Sequence, residues 1–437
     1  MMRFSPISVI SLLLLGSLRN ANAKPNAYMM KSSLISDKSS LQEMITTPTL
    51  LVDKTRCLEN IRRMCQKARD AKCRLRPHFK THASLSIARW FQEIDPEITA
   101  ITVSSVSMAE YFCKDGDWKD ITIAFPINIL ELRTIERLLT SHPDLQLNLL
   151  VENTEAVEAL ETRLKLDNKD NNRKVGIFLK IDVGYGRTGI PAEETDRIDA
   201  ILQRLKSSKQ LEFLGFLTHS GHTYHCRSSS ISSAREQVQA IFQTTKDLMV
   251  SLKQAYADEF PNLQLSMGDT PCCSVVPANE FKGVFDEMRP GNFVFYDLEQ
   301  AEIGACNWED ISVAVACPIV AKHVDRRELV LYGGGVHCSK ERLVVAQDES
   351  GGRTKTIYGR VVRQSSSSWL DVIDGMYLRS LSQEHGIVVV PSTEDMDQYK
   401  IGDLVYVLPI HSCMAADCLK HKGYLSTDGQ VLERMKN

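Results

Sequence analysis

The chain lacks several marks by which a sequence declares its class. It has no Asn-x-Ser/Thr acceptor, no Cys-x-x-Cys pair, no basic block and no internal repeat. Without an acceptor asparagine, glycosylation gives no mark of secretion. With formal net charge −3 and no cluster of lysine or arginine, nothing favours nucleic acid. One apolar stretch, residues 9–15, is too short for a membrane span. No second run of spanning length follows it, so no membrane partner is expected. Cysteine is plentiful at 12, yet Cys65, Cys113 and Cys317 sit in segments that read as helix or strand interiors. An oxidising compartment would favour disulfides, but the spacing does not spell a disulfide framework.

What is present begins at the N-terminus. Arg3 precedes the apolar stretch and Ala21-Asn22-Ala23 follows it, the layout of a secretory signal peptide over residues 1–23. That predicts the secretory pathway or an extracellular destination, with an internal organelle as the alternative. Residues 24–46 are polar and serine-rich and read as a flexible linker. A strand follows around Leu50, then a helix with Leu58, Ile61, Met64, Cys65 and Ala68 on one face.

Strand-like runs then recur at 74–79, 98–104, 121–125, 145–151, 175–183, 211–218, 263–267 and 284–288. Amphipathic helix-like stretches lie between most of them, for example 129–139, 155–166 and 233–256. This alternation over residues 57–304 fits a (β/α)8 barrel better than an open doubly wound sheet. Barrel sites lie at the C-terminal strand ends. Those ends carry Lys80, Ser104-Ser105, residues 182–187, His219-Ser220-Gly221-His222, Gly268-Asp269-Thr270 and Arg289. So many polar or glycine-rich ends point to one convergent site. Past residue 304 the runs shorten and become β-rich, so 305–437 reads as a smaller all-β domain. The expected fold class is α/β, a barrel plus a C-terminal β-domain.

Lys80 closes the first strand-like run among Arg74, Arg76, His78 and His82. Desolvation and neighbouring cations lower an amine's pKa and suit it to Schiff-base formation. A solvated basic strand end is the plain alternative. Pro77-His78-Phe79-Lys80-Thr81-His82 resembles the pyridoxal-phosphate lysine motif of the D-threonine aldolase/D-serine dehydratase family, metal-dependent fold-type III relatives of alanine racemase. Val183-Gly184-Tyr185-Gly186-Arg187-Thr188-Gly189, His219-Ser220-Gly221-His222-Thr223-Tyr224, Gly268-Asp269-Thr270-Pro271, Arg289-Pro290-Gly291-Asn292 and Pro409-Ile410-His411-Ser412-Cys413 resemble further family segments in the expected order.

The resemblance implies that Lys80 holds the cofactor and, once freed, takes the substrate's Cα proton. Arg187 would approach the phenolic oxygen, with Tyr185, His219 and Tyr224 as further cofactor neighbours. Gly268, Asp269 and Thr270 would present backbone N–H groups to the phosphate, helped by a helix start. An acid repels phosphate, so Asp269 is expected to point away. His411 and Cys413 would share one face of an extended segment and hold Zn2+, with Mn2+ or another divalent cation as the alternative. Without the resemblance, a buried histidine and an inert cysteine would be the simpler reading. Tyr332-Gly333-Gly334-Gly335 reads as a tight turn, and His337 with Cys338 is a minor candidate for a second metal site.

By the same resemblance, residues 47–56 join the β-domain and the protein is a homodimer. The implied activity is that of a lyase on D-3-hydroxy amino acids. Dehydration of D-serine to pyruvate and ammonia leads, and D-threonine aldolase chemistry is the alternative. Behind these stand an amino-acid racemase, which needs two bases and no metal, and a non-catalytic cofactor-binding protein.

Overall fold

The computed structural model describes residues 38–436 apart from 115–116, 165–172, 229, 347–353 and 366–367, with backbone alone for 38–40. The expected signal peptide and residues 24–37 of the expected linker lie outside the described residues. Helix Lys38–Met44 occupies the end of that linker, because Leu41 and the following Ile45 have the core to pack against.

Eight parallel strands form the barrel in the order Arg74–Leu75, Glu287–Met288, Gln264–Met267, Leu211–Thr218, Val175–Asp182, Gln146–Val151, Asp120–Pro126 and Ala100–Val103. The ring closes through a single parallel bridge, His78 to Thr102. Phe79 N–H donates to the Thr102 carbonyl and Thr102 N–H to the Pro77 carbonyl, each at 2.9 Å. The first strand is shorter than its apolar pattern suggests. Pro77 brings no N–H to the ladder, so regular pairing stops before it. Four of the helices between strands start on side-chain caps. Ser84, Ser105, Asn153 and Ser230 each accept a backbone N–H of the first turn.

The barrel interior is polar along much of its axis. Arg76 grips Asp120 with two hydrogen bonds, 2.6 and 3.0 Å, and donates Nε to Glu287 at 2.7 Å. Glu287 accepts from Ser266 Oγ at 3.0 Å, and that hydroxyl accepts from Arg289 Nε at 2.7 Å. Each charge in this ladder is matched by the next group, which is what makes its burial tolerable.

The second sheet has nine strands, with Val313–His323 central between Leu404–Pro409 and Thr49–Val52. Thr49–Val52 pairs antiparallel with Val313–Ala316 and parallel with Leu425–Ser426, so the early strand does join the β-domain. The sheet and the barrel share one hydrophobic core. Its strand Leu404–Pro409 runs directly into His411 and helix Ser412–Cys418, which delivers both expected metal ligands to the barrel mouth.

Candidate active site

A cavity of about 500 Å³ opens at the C-terminal strand ends. Lys80, Tyr185, Arg187, His219, Tyr224, Gly268, Asp269, His411 and Cys413 all line it. Thr270 does not. It is fully buried behind the wall, where its Oγ1 accepts from Asn292 N–H at 3.1 Å.

Lys80 is an exposed amine between two fully buried neighbours, Phe79 and Thr81. Phe79 is clamped in a ring cluster with Phe91, Phe112 and Trp118 at centroid distances of 5.1, 5.1 and 5.0 Å. That anchor leaves the lysine to reach the cavity. Thr81 Oγ1 lies 3.2 Å from Cys413 Sγ, 332 residues along the chain, so the lysine segment and the ligand pair form one site.

The loop with Tyr185 and Arg187 hangs on Asp182. Its carboxylate accepts N–H donations from Gly184, Tyr185 and Gly186 at 3.0 to 3.1 Å. Arg187 then sits 5.0 Å over the Tyr185 ring, a cation–π contact. His219 Nδ1 pairs with the Gly268 carbonyl. Burial, reinforced by Lys180 and Lys80, holds this imidazole well below its ordinary pKa. It is therefore neutral, donating through Nδ1 and accepting at Nε2. Burial raises the Tyr224 phenol well above its usual range.

Asp269 lines the cavity but is 2 % exposed, and its Oδ1 is engaged by the protein itself. It caps helix Thr270–Val275 by accepting from Cys272 N–H at 2.6 Å, and it accepts from Thr223 Oγ1 at 3.2 Å. Burial raises its carboxyl to about 6. Gly268 and Gly291 hold the wall thin. A Cβ on Gly268 would stand 2.9 Å from Arg289 Cβ, and one on Gly291 would stand 2.8 Å from the His78 carbonyl.

His411 and Cys413 meet, but not on an extended segment. Helix Ser412–Cys418 starts between them, because Ser412 N–H is captured by the Asp297 carboxylate at 2.8 Å and the chain turns there. The two side chains are near enough to act on each other electrostatically. Burial would raise the Cys413 thiol, but His411, Lys80 and the Thr81 hydroxyl outweigh it and favour thiolate. Asn292 Nδ2 adds a contact at 3.6 Å. Imidazole beside thiolate is a donor set for zinc-like ions. Among the described residues, His337 and Cys338 belong to no group of three possible ligands, whereas His411 does, with Asp297 and Glu299. The triple glycine leads into a short helix, Gly335–Cys338, rather than a simple turn. All twelve cysteines are free thiols.

Sequence reasoning missed several cavity residues. Lys180 is only 4 % exposed, and burial, with Arg289 and Arg187 adding to it, lowers its amine to about 7. A lone lysine inside the apolar strand Val175–Asp182 was its signal. His78 and Asn292 lay within the segments that carry the family resemblance, and Arg289 stood among the strand ends expected to converge. Asp297 and Glu299 carried no signal short of the fold.

The cavity suits pyridoxal phosphate. It offers an accessible amine, cations for an anionic ligand, and in its wall a buried Asn292 Oδ1 without a hydrogen-bond partner.

Comparison with known proteins agrees. Residues 52–299 match the family model "Alanine racemase, N-terminal domain", and residues 312–424 match "Putative serine dehydratase domain". A D-serine dehydratase of Dictyostelium discoideum is 28% identical over 412 residues, covering 90% of this chain and 96% of that one. The structure of D-threo-3-hydroxyaspartate dehydratase from Delftia sp. HT23 superposes with TM-score 0.77 at 26% identity, covering 91% of this chain and 99% of that one. A cysteine-to-alanine mutant of that enzyme, in the metal-free form, gives TM-score 0.77 at 25% identity over 91% and 99% of the two chains. A barrel matched over most of its length and a matching C-terminal domain place this chain in the alanine racemase N-terminal domain family, whose members are pyridoxal-phosphate-dependent.

Proposed function

We propose that this protein is a pyridoxal-phosphate- and metal-dependent lyase that dehydrates D-3-hydroxy amino acids, with D-serine the leading substrate and Zn2+ the metal. The observation that carries the reading is the contact between Thr81 and Cys413, which sets Lys80 beside the two expected metal ligands. Bound pyridoxal phosphate supplies an electron sink at Cα, and a Zn2+ ion supplies a Lewis acid. The residues of the chain do the rest. Lys80 removes the Cα proton. His411 and Cys413 would hold the ion, which would supply positive charge toward the substrate's 3-hydroxyl. Arg187 and Arg289 offer positive charge to the anionic ligands, and neutral His219 offers an acceptor without competing charge.

A homodimer is part of this proposal. Exposed Phe125, 59% accessible, lies at the end of the third barrel strand, Leu130, 85% accessible, stands just past it, and Met414 stands next to Cys413. A second subunit at the barrel mouth would cover such surface. Residues 1–23 support a secretory route or an internal organelle.

Product analysis tests the function. The mature chain is incubated with pyridoxal phosphate and Zn2+ or Mn2+, separately with D-serine and D-threonine. Pyruvate from D-serine, lost with EDTA and in Lys80→Ala, is the expected result. Glycine and acetaldehyde from D-threonine would make the enzyme an aldolase instead. Neither product, despite bound cofactor, would overturn the lyase.

A further inference from the structure

We propose that Asp297 and Glu299 are positioning residues for the metal. They hold His411 through Nδ1, so that Nε2 is the coordinating atom and Cys413 Sγ is the second protein ligand. This rests on the metal reading above and adds two residues to it.

His411 Nδ1 lies 3.3 Å from Asp297 Oδ2 and 3.2 Å from Glu299 Oε2, contacts that are loose for hydrogen bonds. The nitrogen is buried, and both carboxylates are pinned elsewhere. Asp297 is fully buried, and its Oδ1 caps the next helix by accepting Gln300 N–H at 2.9 Å. Its Oδ2 already accepts from Asn292 Nδ2 at 2.7 Å, Ser412 N–H at 2.8 Å and Ser412 Oγ at 3.2 Å. Direct coordination by Asp297 would have to displace three donors already gathered on one oxygen, whereas the imidazole N–H approaches beside them. Glu299 gives its other oxygen to Arg227 at 2.7 Å, and its backbone N–H donates to the Ile410 carbonyl at 3.1 Å. The two acids therefore clasp the chain on either side of His411.

An imidazole that donates from Nδ1 has its lone pair on Nε2, and outer carboxylates of this kind orient the ring and raise its basicity toward metal. The Cys413 side follows the same plan, because Thr81 Oγ1 and Asn292 Nδ2 both approach the sulfur. The competing arrangement puts the ion directly among Asp297, Glu299 and His411, whose ligand atoms lie within 4.8 Å of one another. Such an oxygen-rich site would prefer a harder cation and would not need Cys413.

The test is metal binding by the full-length protein, read by chelator competition with Zn2+ and by the optical spectrum of the Co2+-loaded protein. Variants are Glu299→Gln, Asp297→Asn and Cys413→Ala. Glu299→Gln should weaken Zn2+ binding on the order of 10- to 100-fold, with the cobalt–thiolate charge-transfer band retained. Cys413→Ala should abolish that band. Asp297→Asn should behave like Glu299→Gln if it folds, and Glu299→Gln alone decides the matter if it does not. Zn2+ affinity unchanged in Glu299→Gln but lost in Cys413→Ala would overturn the positioning role and leave the metal reading standing. Zn2+ affinity unchanged in Cys413→Ala would overturn the metal reading itself.

Discussion

Lys180 makes the site costly to fold without its anionic occupant, and the cost can be measured. Burial, reinforced by Arg289 and Arg187 and only partly relieved by Asp182 and Glu152, lowers its amine from 10.5 to about 7. At about 1.4 kcal/mol per pH unit, the penalty for keeping this lysine charged is roughly 5 kcal/mol, taken as an upper bound. The sign follows from proton counting. Below pH 7 the amine is protonated in both folded and unfolded chains, so the full penalty applies. Between about 7 and 10.5 only the unfolded chain keeps the proton, so stability rises with pH. Lys180→Met keeps the apolar stem and removes the charge. The cofactor-free variant should be more stable than wild type at pH 6 by several kcal/mol. That advantage should shrink by about 1.4 kcal/mol per unit above pH 7. Urea denaturation of both proteins at pH 6, 8 and 9.5 checks it. An advantage that stays flat with pH, or a variant less stable at pH 6, would refute the reasoning. Bound pyridoxal phosphate should narrow the gap, because its negative charge compensates the amine.

Other expectations follow from single contacts. Gly189 has φ +112°, and a Cβ there would stand 2.6 Å from Asp182 N, so Gly189→Ala should destabilise by about 2 kcal/mol or more; urea denaturation reads this. The same variant should weaken cofactor binding in a titration, because the displaced backbone carries Tyr185 and Arg187. Lys80→Ala should lower kcat by about 10³-fold or more while urea stability stays within about 0.5 kcal/mol, since Lys80 is exposed. Asp269, raised from 3.8 to about 6, binds its proton more tightly when folded, so its stabilisation is complete below pH 3.8 and lost as pH rises through 6. Asp269→Asn should flatten a decline of at most about 3 kcal/mol across that window, with a matched loss of slope in denaturation at pH 4.5 against pH 7.

The barrel was readable because its strands are apolar runs of the length parallel pairing uses, such as 145–151 and 211–218, broken by capped amphipathic helices. Strands built from few ladder pairs were overread. The last one is only Glu287–Met288, although the apolar run begins at 284. The long strand Trp369–Leu381 went unseen, since Asp371, Asp374 and Gly375 break its pattern while bulged pairing with both neighbours supplies the order. In the site, the motifs gave the residues that face the cavity. They did not give Asp297 and Glu299, whose importance lies in contacts to residues more than a hundred positions away. Nor did they show that a helix begins between His411 and Cys413, because the capture of Ser412 by Asp297 is a tertiary event.

The bridge between His78 and Thr102 has a consequence for the order of assembly. It closes the ring only two residues before Lys80, and the first strand is held on its other side by Glu287, whose contact with Arg76 spans 211 residues. A chain emerging from the ribosome therefore exposes its lysine long before the pocket around it exists. Distant pairing of this kind forms slowly, because a long loop must close before the contact repays it. Pyridoxal phosphate reacts with any free amine, and an open intermediate offers it no preferred one. If Lys80 carries the cofactor as proposed, its loading should follow docking of the eighth strand, through a barrel that closes before it is filled.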